Sequence, residues 1–546
     1  MIRALTMIPL AILGIGCDGN VGDVDETPPL EAWEWAELEL SLTGGSVIDP
    51  KLSGAPELSF DIATESELPA TGCTLSVTVV EPSGRQRRLA EKVDFDANGL
   101  SLSWDGRDDA GQPFDPGPSQ VSADLDCGER TKGFGAANAY VVRLGVVAVD
   151  FNGTDNISLA YHKKEVHLPG LTVLDGEIPE YVNDRLASGD AADLDDRAGT
   201  PREAPEQWLN AHFPPWRSGD AGGIGLGHHN VPAAYTAGGD LELNATFGTT
   251  ATSSTGRPVA AEGPDGFSGD QPTIRAVPEG FESSEETLWT PGETVSFLKS
   301  EPLPSTLGRE TLEITWRYQI EVEGAWVNIP GFHTTTHALY LLVGPSEVPD
   351  GQSIGASPAV TWIGVVEDLA DAITGLPADN LEVVMDRLRE TLHNDPWFVY
   401  NPGDAAYSDF EGDYIFWDDI WVEMTGWLDR DEGVDLYWHS VACVLSSQAN
   451  HLGIPAHYLT LGVGFRTHLT RAAGDEDWRR WSFNSHGITE LDGKVWDAAV
   501  DIDGDSNPDN LPADPVQPMG LSVDAYFKLL TADDIETVNY GRCFVY

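Results

Sequence analysis

Basic residues are scarce in this sequence. Its 546 residues hold 31 Lys and Arg against 89 Asp and Glu, a formal charge of −58. A surface of that sign repels phosphate backbones and anionic headgroups, which excludes nucleic acid and polybasic membrane attachment as modes of binding. It suits a secreted protein in salty water, where counterions screen the self-repulsion. Cysteine is scarce too. The five residues Cys17, Cys73, Cys127, Cys443 and Cys543 form no C-x-x-C spacing, so a zinc- or cluster-type ligand set is excluded. Beyond the N-terminus no apolar run approaches the ~18 residues of a spanning helix. What is abundant is apolar and aromatic: 41% hydrophobic residues and 17 Trp exclude wholesale disorder. The chain is also too long for one core, and three or four domains are expected.

Residues 1–16 read as a targeting segment, with Arg3 ahead of a mainly apolar run. The sequence Leu13-Gly14-Ile15-Gly16-Cys17 resembles a bacterial lipoprotein signal, which implies lipidation of Cys17. It departs from that pattern in that Leu13 stands four residues before the cysteine. A plain secretory signal is the alternative. Acidic, Pro-bearing residues 18–36 follow as a tether. Residues 37–168 alternate in short runs, such as Thr74-Leu-Ser-Val-Thr-Val-Val80, and are expected to form an antiparallel β-sandwich. Cys73 and Cys127 would staple it in an oxidising compartment. Within it, the tract Ser103-Trp104-Asp105-Gly106-Arg107-Asp108-Asp109-Ala110-Gly111-Gln112 resembles the Ig-like domain of flagellar hook-capping proteins, and its Asp residues also suit turn capping.

Residues 169–230, rich in Asp, Gly and Pro and bearing His228-His229, read as a linker. Residues 231–345 return to β pattern. Leu312, Ile314, Trp316, Tyr318, Ile320 and Val322 there share one face of a strand, with His333, His337 and Tyr340 downstream. The remainder, 355–546, mixes helix and strand. Helices are expected over 360–373 and over 379–392, the second capped by Asp379 with a stripe of Leu381, Val384, Met385, Leu388 and Leu392. Trp417, Trp421 and Trp427 fall among carboxylates in 410–428 and read as core or as a groove lining.

A further helix over 438–452 is closed by Gly453, and a hairpin over 487–497 turns at Asp492-Gly493. That turn makes His486 and Asp497 diagonal neighbours across the hairpin, with Asp501 a fallback partner of the same parity. Helix, hairpin, and the strings Ala449-Asn450-His451-Leu452-Gly453, Trp481-x-Phe483-x-x-His486 and Val495-Trp496-Asp497-Ala498 resemble the transglutaminase-like superfamily, a branch of the papain-like fold. The resemblance implies a Cys–His–Asp triad with His486 as base and Asp497 as orienter. It also puts the cysteine fifteen residues before Gly453, where this sequence has Trp438. Cys443 lies five residues on, rotated by ~140° at ~100° per residue. It reads as a buried helix residue, as a shifted nucleophile beside His439, or as a disulfide partner of Cys543.

Asp501-Ile-Asp503-Gly-Asp505 has the alternating oxygens of a calcium loop without the Gly and Glu of an EF-hand, so Asp501, Asp503 and Asp505 are candidate Ca2+ ligands. No other cofactor is expected. Together these readings give a multidomain α+β protein, with two β-sandwich-like domains and a C-terminal transglutaminase-like domain. The expected role is that of a lipid-anchored envelope protein whose cysteine enzyme has degenerated into a surface binding a peptide or protein partner. An active transamidase or cysteine peptidase using Cys443, His486 and Asp497 is one alternative. A calcium-stabilised extracellular adhesin or scaffold is another.

Overall fold

The structure is a computed structural model. It describes residues 38–160, 216–217, 232–248, 274–283, 294–346, 361–395, 399–400, 419–422, 435–436, 438–503, 515–531, 538–540 and 542–545, apart from short breaks inside these ranges. Cys17, the tether, His228-His229 and Asp505 lie outside the described residues. The protein is β-rich, with several separate sheets and four helices among the described residues.

The first unit holds β1 (Leu38–Thr43), β2 (Val47–Ile48), β3 (Leu58–Thr64), β4 (Cys73–Val80), β5 (Gln86–Phe95), β6 (Leu100–Trp104), β7 (Gly117–Asp126) and β8 (Thr131–Val141). They form sheets of order β1-β3-β6 and β2-β8-β7-β4-β5. Alternate residues point inward from both: Leu58, Phe60 and Ile62 from one, Leu75, Val77, Val79 and Val121 from the other, all in one core. Cys73 and Cys127 form a disulfide across a sequence separation of 54, worth about 4 kcal/mol in chain-entropy terms. In the tract 103–112, Asp105 and Asp108 accept backbone N–H groups of Arg107, Ala110 and Gln112 at 2.8–3.2 Å. These carboxylates cap turns.

The second unit comprises β9 (Gly145–Asn152), β10 (Asn156–Ile157), β11 (Leu159–Ala160), β12 (Trp216–Arg217), β13 (Ala233–Thr236), β14 (Glu242–Gly248), β15 (Ile274–Pro278), β16 (Phe281–Ser283), β17 (Thr294–Lys299), β18 (Gly308–Val322) and β19 (Ala325–Leu342). Here the expected boundary at 168 needs correction. β9 pairs with β12 and β14, so the first unit ends at β8 and the apolar run 140–149 is cut in two. The physical cause is Asp49, a buried carboxylate whose Oδ2 accepts the N–H of Leu144 at 2.7 Å and so turns the chain between β8 and β9. The expected linker, 169–230, also contributes a strand, β12. On β18 the expected face holds for Ile314, Trp316, Tyr318 and Ile320, which are buried, while Val322 at the hairpin end is exposed.

The third unit contains β20 (Thr361–Trp362), α1 (Ile363–Ile373), α2 (Leu381–His393), β21 (Val399–Tyr400), β22 (Asp419–Val422), β23 (Asp435–Leu436), α3 (Trp438–His451), β24 (His457–Leu461), β25 (Phe465–Ala472), β26 (Trp478–Phe483) and β27 (His486–Leu491). It continues with β28 (Lys494–Trp496), β29 (Val500–Asp503), β30 (Pro515–Val516), β31 (Leu521–Ser522), α4 (Val523–Leu530), β32 (Val538–Tyr540) and β33 (Arg542–Val545). Its main sheets run β31-β28-β27-β24-β32 and β26-β25-β29-β30. α2 starts one position later than expected because Asn380, not Asp379, is the N-cap. Every residue of α3 is buried. Gly453 closes it with φ +86°, and a Cβ there would stand 2.5 Å from the backbone of Gly344. That close approach lets Val343 and Gly344 donate to the Leu452 carbonyl at 3.0 and 3.3 Å, joining the second unit to the third.

A half-buried histidine of the second unit, His333, is expected to give the fold a pH dependence. His333 meets the Val146 N–H through Nε2 at 3.3 Å and Tyr318 Oη through Nδ1 at 3.1 Å. Burial pushes its pKa down to about 4. The unfolded ring takes a proton near pH ~6.5 while the folded ring resists it, so the stabilisation is full above ~6.5 and is lost as pH falls toward about 4. Urea melts across this window should lose on the order of 3 kcal/mol to this group. His333→Gln should flatten the slope by close to one proton. An unchanged slope in the variant would reject the assignment.

Candidate functional site

The hairpin of β27 and β28 positions the site. Its turn residues Asp492 and Gly493 have φ of 53° and 77°, the two positive values a type I′ turn demands. The register pairs Leu491 with Lys494 and Thr489 with Trp496, which leaves His486 and Asp497 diagonal. His486 Nε2 lies 2.8 Å from Asp497 Oδ2. Tyr526 Oη donates to the same oxygen at 2.6 Å and stands 3.1 Å from His486 Nε2, while Asp497 Oδ1 accepts the Ala499 N–H at 2.8 Å. Burial would raise the Asp497 pKa. The charge and hydrogen bond of His486, with the bonds from Tyr526 and Ala499, outweigh it and hold the carboxyl below its ordinary value. Tyr526 was not among the residues expected at the site. It sits on α4, whose N-cap Ser522 and apolar spacing Val523, Tyr526, Phe527, Leu530 were the available signal.

Aromatic rings also pack against His486. Phe483 stacks on it at 4.9 Å and 17°, and the Trp438 indole lies 6.2 Å away and packs edge-on against Phe483 at 4.5 Å. Nδ1 of His486 is buried with no hydrogen-bond partner among the described residues. Trp438 is the first residue of α3, so the indole occupies the helix start. Cys443 is fully buried and disulfide-bonded. The expectation of a shifted nucleophile at Cys443 is therefore corrected: its sulfur is spent in a covalent bond. Its bonding partner lies outside the described side chains; β33, the strand carrying Cys543, runs beside α3.

His439, the next residue of α3, was noted only for its spacing from Cys443. Its Nδ1 meets Tyr458 Oη, its Nε2 lies 2.9 Å from Ser485 Oγ, and Thr460 donates to Tyr458 Oη at 3.0 Å. Gly487 makes room for it: a Cβ there would sit 2.8 Å from His439 Cα and 3.0 Å from its Nδ1. Burial, helped by neighbouring His486, pushes the His439 pKa down to about 3, so this ring is neutral at ordinary pH.

Asp501 does not serve as the fallback partner of His486. Arg389 and Arg471 reach its two oxygens at 2.6 and 2.5 Å, and His393 Nε2 lies 3.2 Å away. Arg389 also donates to the carbonyls of Asp497 and Val500 at 2.9 and 3.0 Å. Burial works against ionisation, but the His393 bond and the charges of His393 and Arg389, with the bond from Arg471, hold the Asp501 carboxyl well below the carboxylate range. In this structure side-chain cations meet both oxygens of Asp501, the first of the candidate Ca2+ ligands. Asp503 is buried in β29, and no group of three or more metal-ligating side chains occurs among the described residues.

Tyr526→Phe removes one of the three donors that keep a buried carboxylate solvated. A loss of about 1–3 kcal/mol in chemical denaturation is expected. A loss below ~0.5 kcal/mol would mean that Tyr526 packs without holding the carboxylate.

No family model matches this chain, and no curated protein matches it. Among solved structures, a Salmonella alpha-2-macroglobulin mutant aligns with 56% of this chain at 8% identity and a TM-score of 0.18. This chain spans 16% of that protein's length. The CARDB domain of a Pyrococcus furiosus protein, solved in complex with di-metal ions, aligns over its whole length with 22% of this chain, at 16% identity and a TM-score of 0.12. At those scores neither likeness bears on fold or function.

Proposed function

We propose that this chain is a lipid-anchored cell-envelope protein. Its first unit is read as an Ig-like spacer and its second as a further β-sandwich. Its third unit is read as a transglutaminase-like domain that has lost its cysteine chemistry and kept the groove to bind an envelope or extracellular peptide or protein. One observation carries the reading. A buried His486–Asp497 pair faces the start of α3, where Trp438 presents an indole 6.2 Å from the imidazole in place of a thiol. An imidazole held by a carboxylate activates a nucleophile only if a transferable proton lies within hydrogen-bond reach, and carbon-bound indole edges offer none. Cys443, a buried helix residue whose sulfur is in a disulfide, does not supply one either. The aromatic rings of Trp438 and Phe483 are side chains of the kind that anchor peptide partners.

Iodoacetamide tests the missing nucleophile. The wild-type protein should resist alkylation near neutral pH without reductant. Trp438→Cys should gain a thiol that alkylates with an apparent pKa at least about one unit below the ordinary ~8.5, because a helix N-terminus and an imidazole stabilise the thiolate. Ready alkylation of wild-type Cys443 overturns the reading, whether or not the variant folds. The anchor has its own test. Cys17→Ala should abolish incorporation of labelled fatty acid and release the protein from the membrane fraction, and an unlabelled wild type rules the lipid out.

A further inference from the structure

Beside the incomplete triad stands a second pair of groups that the binding reading does not use. Ser485 is half-buried, with its hydroxyl 2.9 Å from Nε2 of His439. Tyr458 Oη meets the other ring nitrogen and itself accepts from Thr460. A hydroxyl, an imidazole within reach of it, and a third group fixing the ring is the constellation that activates a serine. The placement is tight. Only a glycine at 487 leaves room for His439, since any Cβ would press on its Cα and its Nδ1 and, at 3.0 Å, on the Tyr458 ring. His439 is the second residue of α3, so the positive dipole end of a 14-residue helix lies at the same end as the pair.

We propose that Ser485 and His439 form a nucleophile–base pair that accepts the acyl group of carboxylic esters beside the start of α3. For Ser485 to give up its proton, Nε2 must carry the lone pair. Nδ1–H then donates to Tyr458 Oη, whose two lone pairs also receive the Thr460 hydroxyl. The oxygen of Ser485 bonds to the ester carbonyl carbon while its proton passes to Nε2. The tetrahedral adduct collapses by breaking the bond to the leaving alcohol, which takes that proton from His439. Water then adds to the acyl-serine, its proton moving to Nε2. Collapse releases the carboxylic acid and returns the proton to Ser485. The neutral, weakly basic ring of His439 suits esters with good leaving groups rather than amides. The reading of Trp438 as a lost nucleophile stands whether or not Ser485 reacts.

A fluorophosphonate probe on the full-length protein tests the pair, with the adduct mapped by peptide mass. The wild type should label at Ser485, Ser485→Ala should not, and His439→Gln should label at least about 100-fold more slowly, the usual contribution of a positioned base. A p-nitrophenyl acetate burst approaching one equivalent, absent in Ser485→Ala, is the companion readout and does not require the His439 variant to fold. Melting curves establish that Ser485→Ala is native. Labelling of the wild type no faster than of Ser485→Ala, or a folded His439→Gln that labels as fast as wild type, overturns the proposal.

Discussion

The third unit is built on a helix with no wet face. All fourteen residues of α3 are buried, which puts a premium on protein partners for its polar side chains such as Ser446 and Asn450. That constraint reaches outward. Ser446 bonds back to the Cys443 carbonyl at 3.0 Å, and Asn450 Oδ1 accepts the Ala456 N–H at 3.1 Å. Thr489 on β27 donates to the Ala442 carbonyl at 2.9 Å. The last of these fixes the hairpin against the helix, and the hairpin carries His486 and leads to Asp497. The position of the site is thus a consequence of satisfying the helix's own backbone.

A second constraint is electrostatic. In a chain of net charge −58, a fully buried arginine is well supplied with carboxylates, yet Arg389 gives two of its N–H groups to backbone carbonyls and one to Asp501. Removing one partner of such a pair leaves an uncompensated buried charge, a cost of ~3–5 kcal/mol. Arg389 therefore fixes the strand end from which Asp497 projects. The same contact consumes the oxygens that, in the sequence, look like the start of a calcium loop. Alternating aspartates report only that oxygens are close together; whether a metal or a guanidinium meets them depends on what α2 brings from more than a hundred residues away.

Legibility followed the range of the interaction. The Asp492-Gly493 turn, the helix closed by Gly453 and the diagonal relation of His486 to Asp497 are local, and periodicity with turn chemistry sufficed for them. The misplaced boundary at 168 arose because the run 140–149 is uniformly apolar, and only the buried Asp49, far upstream, shows where it breaks. Tyr526 had a local signal in its capped helix, but nothing local says that its hydroxyl meets Asp497. His439 was harder still. Its meaning depends on Tyr458, Ser485 and the absent side chain of Gly487, each on a different stretch.

A buried His–Asp pair has a structural explanation that needs no chemistry. Asp497 is bonded to His486, Tyr526 and the Ala499 N–H, and its own N–H donates to the Pro518 carbonyl at 3.0 Å. It therefore ties β27, α4 and the segments around β28 together from inside the core. Replacing either member singly strands a buried polar group. A buried imidazole–carboxylate contact is consequently weak evidence of turnover, and the informative position is the one facing its free nitrogen. The rings of Phe483 and Trp438 pack against this imidazole, and a separate hydroxyl–imidazole contact, Ser485 with His439, lies one residue further along the helix.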